Sequence, residues 1–147
     1  MKFTIDDGRN AESGEVLALY EDAGWTAYTA APEKLMRAIG ASQSVLIARD
    51  ESGELCGMLR MVGDGETIAY IQDILVKDSA RRSGVGRALV MKCRGLYPNI
   101  RQWVLLADNV PETRSFYTSC GFKSAGDYGC VAYVQFEEAA ASDDKKG

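Results

Sequence analysis

The 147-residue sequence predicts one mixed α/β (α+β) domain, a mostly antiparallel sheet with helices on both faces. Three observations predict it. From Ser44 to Val76 apolar residues follow the period of strands, interrupted by the turn pairs Ser52-Gly53 and Asp64-Gly65. The segments on either side carry apolar residues at helical spacing. The second half alternates strand, helix, strand, helix, strand, which requires at least one parallel, right-handed crossover.

Each element has a local reason. Residues 3–5 suit a short first strand. Residues 12–23 place Val16, Leu19, Tyr20 and Ala23 on one helix face, and Gly24 ends that helix. The following "GWTAYT" is aromatic and reads as a loop. Pro32 fits the first turn of a second helix through Ile39, with Leu35, Met36 and Ile39 on one side. Then come "SVLIARD" and the two strands within residues 55–76, joined at the hairpin pair Asp64-Gly65. A helix is expected from about Gly86 to Leu96, with Val85, Leu89, Cys93 and Leu96 as its apolar stripe. After it follow a strand "QWVLLAD", a helix Pro111–Ser119, and closing strands near 122–126 and 130–136. The domain is expected to span 1–138, with 139–147 a disordered tail because the final stretch "EEAAASDDKKG" has no apolar period.

Composition narrows the chemistry. At 46% hydrophobic and 26% charged, the chain reads as soluble and globular. "MKFTIDDGRN" has no signal-like stretch, and the longest strongly apolar run, "WVLLA", is too short for a bilayer, so a cytoplasmic location is expected. Cys56, Cys93, Cys120 and Cys130 are too far apart for a redox pair or a zinc knuckle, so they read as buried free thiols and no metal is expected. There is no histidine, which excludes Ser-His and Cys-His nucleophiles and leaves carboxylates, Tyr, Cys and Lys to carry protons.

The net charge of -4 hides a segregation. Residues 77–101 hold seven basic side chains against the single acid Asp78, which suggests an anionic partner. Within that stretch "RRSGVGR" lies between a strand ending at Val76 and a helix. Unpaired N–H groups at a helix start, with glycines that permit close approach, make an anion cradle. A P-loop needs Gly-Lys-Ser/Thr, where Arg87 and Ala88 follow Gly86; a dinucleotide fingerprint needs Gly or Ala where Leu89 stands.

Arg81-Arg82-Ser83-Gly84-Val85-Gly86 resembles the pyrophosphate signature Q/R-x-x-G-x-G/A of the GNAT superfamily of N-acetyltransferases. "YIQDILV" before it is similar to that family's fourth strand, and "LLADNVPETRSFYTSCGF" to its fifth strand and FY...GF junction. The resemblance covers roughly residues 44–126 and implies a sheet whose fourth and fifth strands splay apart. It implies acetyl-CoA as cosubstrate, with the pyrophosphate on the N–H groups of Arg82, Ser83, Gly84, Val85, Gly86 and Arg87, and Arg81 closing the signature. It further implies that the main chain of Ile74, Leu75 and Val76 pairs with the pantetheine arm, that Asn109 and Phe116 line its far side, and that Tyr117 stands beside the thioester sulfur.

On this reading an acetyl group passes directly to a primary amine of a small molecule or a protein. A lysine-like ammonium titrates near ~10.4, so its proton must leave before attack. Asp73 is the first candidate base, with Glu66 and Tyr70 behind it; the alternative is that Asp73 caps a backbone group or pairs with an arginine. Tyr117 is the candidate donor to the departing thiolate, and the N–H of Leu75 or Val76 the candidate oxyanion donor. Cys120 lacks a His partner and sits at a helix end that disfavours thiolate. Trp25, Tyr28 and Tyr70 are candidate walls of the acceptor pocket, with packing on the sheet the alternative for Trp25 and Tyr28. The resemblance also allows a homodimer through late strands. Two other classes remain: a non-catalytic acyl-CoA sensor on the same fold, and a nucleic-acid module, which would lack aromatics interleaved with its basic patch. Neither nucleic acid nor membrane is an expected partner.

Overall fold

The computed structural model describes residues 1–137, and the expected tail at 139–147 lies outside them. In chain order the elements are β1 (Phe3–Asp7), α1 (Ser13–Asp22), α2 (Thr26–Thr29), α3 (Pro32–Ala41), β2 (Ser44–Asp50), β3 (Leu55–Gly63) and β4 (Ile68–Val76). There follow α4 (Val85–Leu96), β5 (Gln102–Val104) and α5 (Pro111–Ser119), with 3-10 turns at Asp78–Ala80 and Ala125–Tyr128. The sheet runs β1-β2-β3-β4-β5, antiparallel except for the parallel pair β4–β5. Among the described residues no helix is long and apolar enough to cross a membrane.

Strand alternation feeds two cores. Val45, Ile47, Met58 and Leu75 join Val16, Leu19, Tyr20, Leu35 and Ile39 from α1 and α3. Leu46, Ala48, Leu59, Met61, Ala69 and Ile71 face the other way, onto Val85, Leu89, Val90 and Cys93 of α4. Both turns form where Ser52-Gly53 and Asp64-Gly65 signalled them. Asp50 Oδ1 accepts the N–H groups of Ser52 and Glu54, and Asp64 Oδ1 accepts those of Glu66, Thr67 and Ile68. Those bonds, with Thr67 Oγ1 foremost, hold the Asp64 carboxyl well below the ordinary range.

Two features of β4 set up the site. The register against β3 slips between Arg60 and Met61, which oppose Asp73 and Ile71, so Gln72 is an extra residue in a β-bulge. The parallel ladder with β5 covers only Ile68–Tyr70 against Gln102–Val104. Beyond Tyr70 the two strands diverge, as expected.

Four expectations are corrected. Of the four thiols expected to be buried, Cys56, Cys93 and Cys120 are, whereas Cys130 is exposed because it lies in the stretch 130–137, which finds no strand to pair with. The "GWTAYT" loop contains α2, one helical turn that stacks Trp25 and Tyr28 around Tyr20 at centroid distances of 5.3 to 6.0 Å. The strand "QWVLLAD" stops at Val104, because β4 has turned away and offers Leu105 onward no ladder. The closing strands do not form: residues 125–128 make a 3-10 turn, and 130–137 find no strand to pair with. Val131, Tyr133, Val134 and Phe136 are 50 to 92% exposed, so the alternation is present without a surface to bury it.

Candidate functional site

The open edge of β4 is the first component. The Lys77 N–H bonds to Cys56 O at 2.8 Å, and the antiparallel register continues through Val76 opposite Gly57 and Leu75 opposite Met58. Hydrogen-bonded pairs alternate in such a ladder, so Leu75 turns its main chain to β3 while Ile74 and Val76 turn theirs to the open edge. Of the three residues expected to meet a pantetheine-like strand, Ile74 and Val76 therefore present main-chain groups at the open edge, and Leu75 does not.

The cradle follows at once. Arg82 adopts a left-handed φ of 64° and Gly84 one of 91°, and Ser83 Oγ donates to Ala80 O. Left-handed residues beside right-handed ones turn successive N–H groups into a concave nest, which suits a diphosphate. Gly84 is the N-cap of α4, and no side chain caps that terminus, so the first-turn N–H groups lack an internal acceptor. The two glycines have different reasons. A Cβ on Gly84 would meet nothing within 4 Å, so conformation selects glycine there. A Cβ on Gly86 would stand 3.1 Å from Phe116 Cζ and 3.5 Å from Val76 Cγ2, so Gly86 lets α5 and β4 close against the helix start.

Four of the seven basic residues divide between two tasks. Arg81 and Arg82 are exposed at the cradle. Arg87 instead donates to Ser119 O at 3.3 Å and Arg94 to Cys120 O at 2.7 Å, capping the carbonyl end of α5 where its dipole favours cations.

Across the split, Tyr117 packs edge-on to Phe116 at 4.9 Å and to Phe122 at 6.0 Å. Burial foremost, then Cys120 and Asp108, pushes its phenol up to about 12. Asn109 is exposed and accepts from Arg114 Nη1 at 2.7 Å. Cys120 is buried, and burial pushes its thiol up, away from nucleophilic use. Tyr70 is half-buried at the last paired position of β4, opposite Val104, at the apex of the split.

Asp73 sits elsewhere than a free base would. Its side chain is fully buried; Oδ2 accepts from Arg60 Nε and Tyr20 Oη at 2.7 Å each, and Oδ1 from Tyr28 Oη at 3.2 Å. The alternative kept open for it, pairing with an arginine, is the arrangement present. Glu66 is exposed in the β3–β4 turn. Arg60, Tyr20 and Gln72 were missed as members of this group. One signal existed: Arg60 and Asp73 are the lone charges in two apolar strand runs, and buried charges require partners.

Comparison with known proteins agrees with this geometry. A family model described as an acetyltransferase (GNAT) domain matches residues 41–124. A probable glucosamine 6-phosphate N-acetyltransferase of rice (Oryza sativa subsp. japonica) is 23% identical over 100 residues, 62% of this chain and 60% of the relative. This chain thus spans less than two thirds of that relative's length. A GNAT family acetyltransferase of Streptococcus pneumoniae superposes with a TM-score of 0.81 at 28% identity, covering 92% of this chain and 98% of that one. An aminoglycoside acetyltransferase from an uncultured soil metagenomic sample shares the fold, with a TM-score of 0.69 at 19% identity over 93% and 94% of the two chains.

Proposed function

The chain belongs to the GNAT acetyltransferase family, and from that premise we propose that it transfers the acetyl group of acetyl-CoA directly to a primary amine. One observation carries the reading: the open edge of Ile74 and Val76 runs straight into the uncapped start of α4, so a pantetheine arm and a diphosphate would meet unpaired main-chain groups in one continuous line. The residues fit the ligand. The nest from Arg82 to Arg87 takes the pyrophosphate, Arg81 and Arg82 add charge, and Ile74 and Val76 pair with the amides of the arm. Phe116 lies against Gly86 beside that path, and Asn109 stands at the start of α5.

The residues then act on the acyl group in simple steps. The Val76 N–H faces the developing oxyanion. Tyr117 donates a hydrogen bond to the departing sulfur and remains protonated. A carboxylate taking a proton from an ammonium works uphill by about 6.5 pKa units, or roughly 9 kcal/mol, whereas drawing on the neutral amine fraction at pH ~7 costs about 3.4 units, or roughly 5 kcal/mol. The amine therefore attacks as that neutral fraction, its ammonium proton released to bulk solvent, and the proton that attack leaves on nitrogen ends on the departing sulfur to give the CoA thiol.

Charge favours one acceptor class. Residues 1–76, which supply α1 to α3 and the walls Trp25, Tyr28 and Tyr70, hold thirteen acidic and six basic side chains. That field attracts a cationic amine and opposes a phosphorylated one. The reading places the enzyme in the cytoplasm, in keeping with the free thiols of Cys56, Cys93, Cys120 and Cys130. It also pairs two copies through residues 130–137, whose exposed apolar alternation matches the unpaired outer edge of β5. The test is acetyl-CoA consumption with polyamines, amino acids, aminoglycosides, peptide N-termini and glucosamine 6-phosphate. Turnover with a cationic amine is expected; acetyl-CoA binding without turnover of any amine would leave a sensor instead.

A further inference from the structure

The Arg60–Asp73 group has a closed part and an open part. Arg60, Asp73 and Tyr20 are buried; Tyr28 and Gln72 are half-exposed. The Tyr28 hydroxyl donates to Asp73 Oδ1 at 3.2 Å and accepts from Gln72 Nε2 at 2.9 Å. A phenol oxygen has one proton and two lone pairs, so one lone pair remains. Committing the proton to a carboxyl makes that oxygen a stronger acceptor. Its ring is also fixed, edge-on to Tyr20 at 5.3 Å and with the Arg60 guanidinium 5.9 Å from its centroid. Burial, then Asp73, raises the phenol's pKa, so the hydroxyl stays neutral.

A tie serving only to hold α1 and α2 on the sheet would be complete with Tyr20, Tyr28, Arg60 and Asp73. Gln72 adds something that such a tie does not need. As the extra residue of the bulge it lets two consecutive side chains, Gln72 and Asp73, reach the same hydroxyl, just past the point where β4 leaves β5. The outcome is an oriented oxygen that can only accept, beside the split.

We infer that the Tyr28 oxygen receives an N–H of the acceptor amine, and that Gln72, Asp73 and Arg60 are positioning residues acting through it. The inference rests on the acetyl transfer proposed above. An oxygen committed as donor to Asp73 attracts N–H groups and repels carboxylate or phosphate oxygens at the same place, which makes Tyr28 a specificity determinant for amines. No proton is transferred in this contact.

The test uses the full chain, acetyl-CoA, and whichever amine of the panel wild type acetylates fastest. Loss of a hydrogen bond to a charged partner predicts that Tyr28→Phe raises the amine KM about tenfold or more. The acetyl-CoA KM should stay within about twofold, and kcat should fall less than the amine KM rises. Gln72→Met should move the amine KM the same way by a smaller factor. Asp73 and Arg60 are left intact, since their burial makes unfolding the first effect of changing them. A Tyr28→Phe enzyme with an amine KM within about twofold of wild type overturns this inference alone, as does an equal change in the KM values of both substrates. A wild type that acetylates no amine overturns the proposed reaction and this inference with it.

Discussion

At the scale of single residues, Tyr117 has the clearest consequence. A free thiol titrates near ~8.5, whereas this phenol is pushed up to about 12. In the proposed transfer, full proton donation to the departing sulfur is therefore uphill by about 3.5 units, roughly 5 kcal/mol, and a hydrogen bond is the contribution left. Steady-state kinetics of Tyr117→Phe should show kcat lowered by about a hundredfold, with the acetyl-CoA KM nearly unchanged. The raised pKa also makes stability pH-dependent. The folded state holds the proton more tightly than the unfolded chain, so this contribution is complete below pH 10 and is lost as pH rises through about 12. Tyr20 and Tyr28 act in the same direction, each raised first by burial and then by Asp73. Urea unfolding at pH 8 and pH 11 should show wild type losing stability at the higher pH, and Tyr117→Phe losing less.

At the scale of the element, the cradle separates shape from charge. Gly84→Asp forces a side chain into a φ of 91° and brings a carboxylate to an anion site, so CoA affinity should fall at least about a hundredfold by calorimetry. Gly86→Asp should also abolish binding, by driving Phe116 away from the start of α4. Arg82→Gly relaxes the left-handed residue and removes only its charge, so binding should weaken severalfold and become less salt-sensitive. This loop was legible in the sequence because its spacing, its charge and its position after an apolar strand all agreed. The role of Gly86 in packing was not, since Phe116 lies thirty residues away in the chain. Arg87 and Arg94 likewise cap α5 through contacts that no local pattern encodes. Strand limits failed for a related reason: "QWVLLAD" and 130–136 have the composition of strands, but a strand needs a partner that the tertiary path brings alongside, and β4 turns away beyond the Tyr70–Val104 pair while 130–137 does not pair with the open outer edge of β5.

At the scale of the whole molecule, the proposed dimer sets the exposed stretch 130–137 of each copy against the outer edge of β5 of the other. Sedimentation should report a dimer, and Tyr133→Asp with Phe136→Asp should shift it to monomer; a monomeric wild type at micromolar concentration would refute this pairing. The Arg60–Asp73 pair was readable as two lone charges, but its link to Tyr20 and Tyr28 was not, because α1 and α2 reach it across more than forty residues of sequence. The single surplus residue in β4 also determines which kinds of sequence change this fold can absorb. A substitution at Gln72 alters one contact with Tyr28, and the strand keeps its path. Loss of a residue there would restore an even ladder, straighten β4 and let it zip along β5, filling with backbone the slot a substrate would occupy. In this domain the count of residues between two turns guards the opening more strictly than their chemistry does.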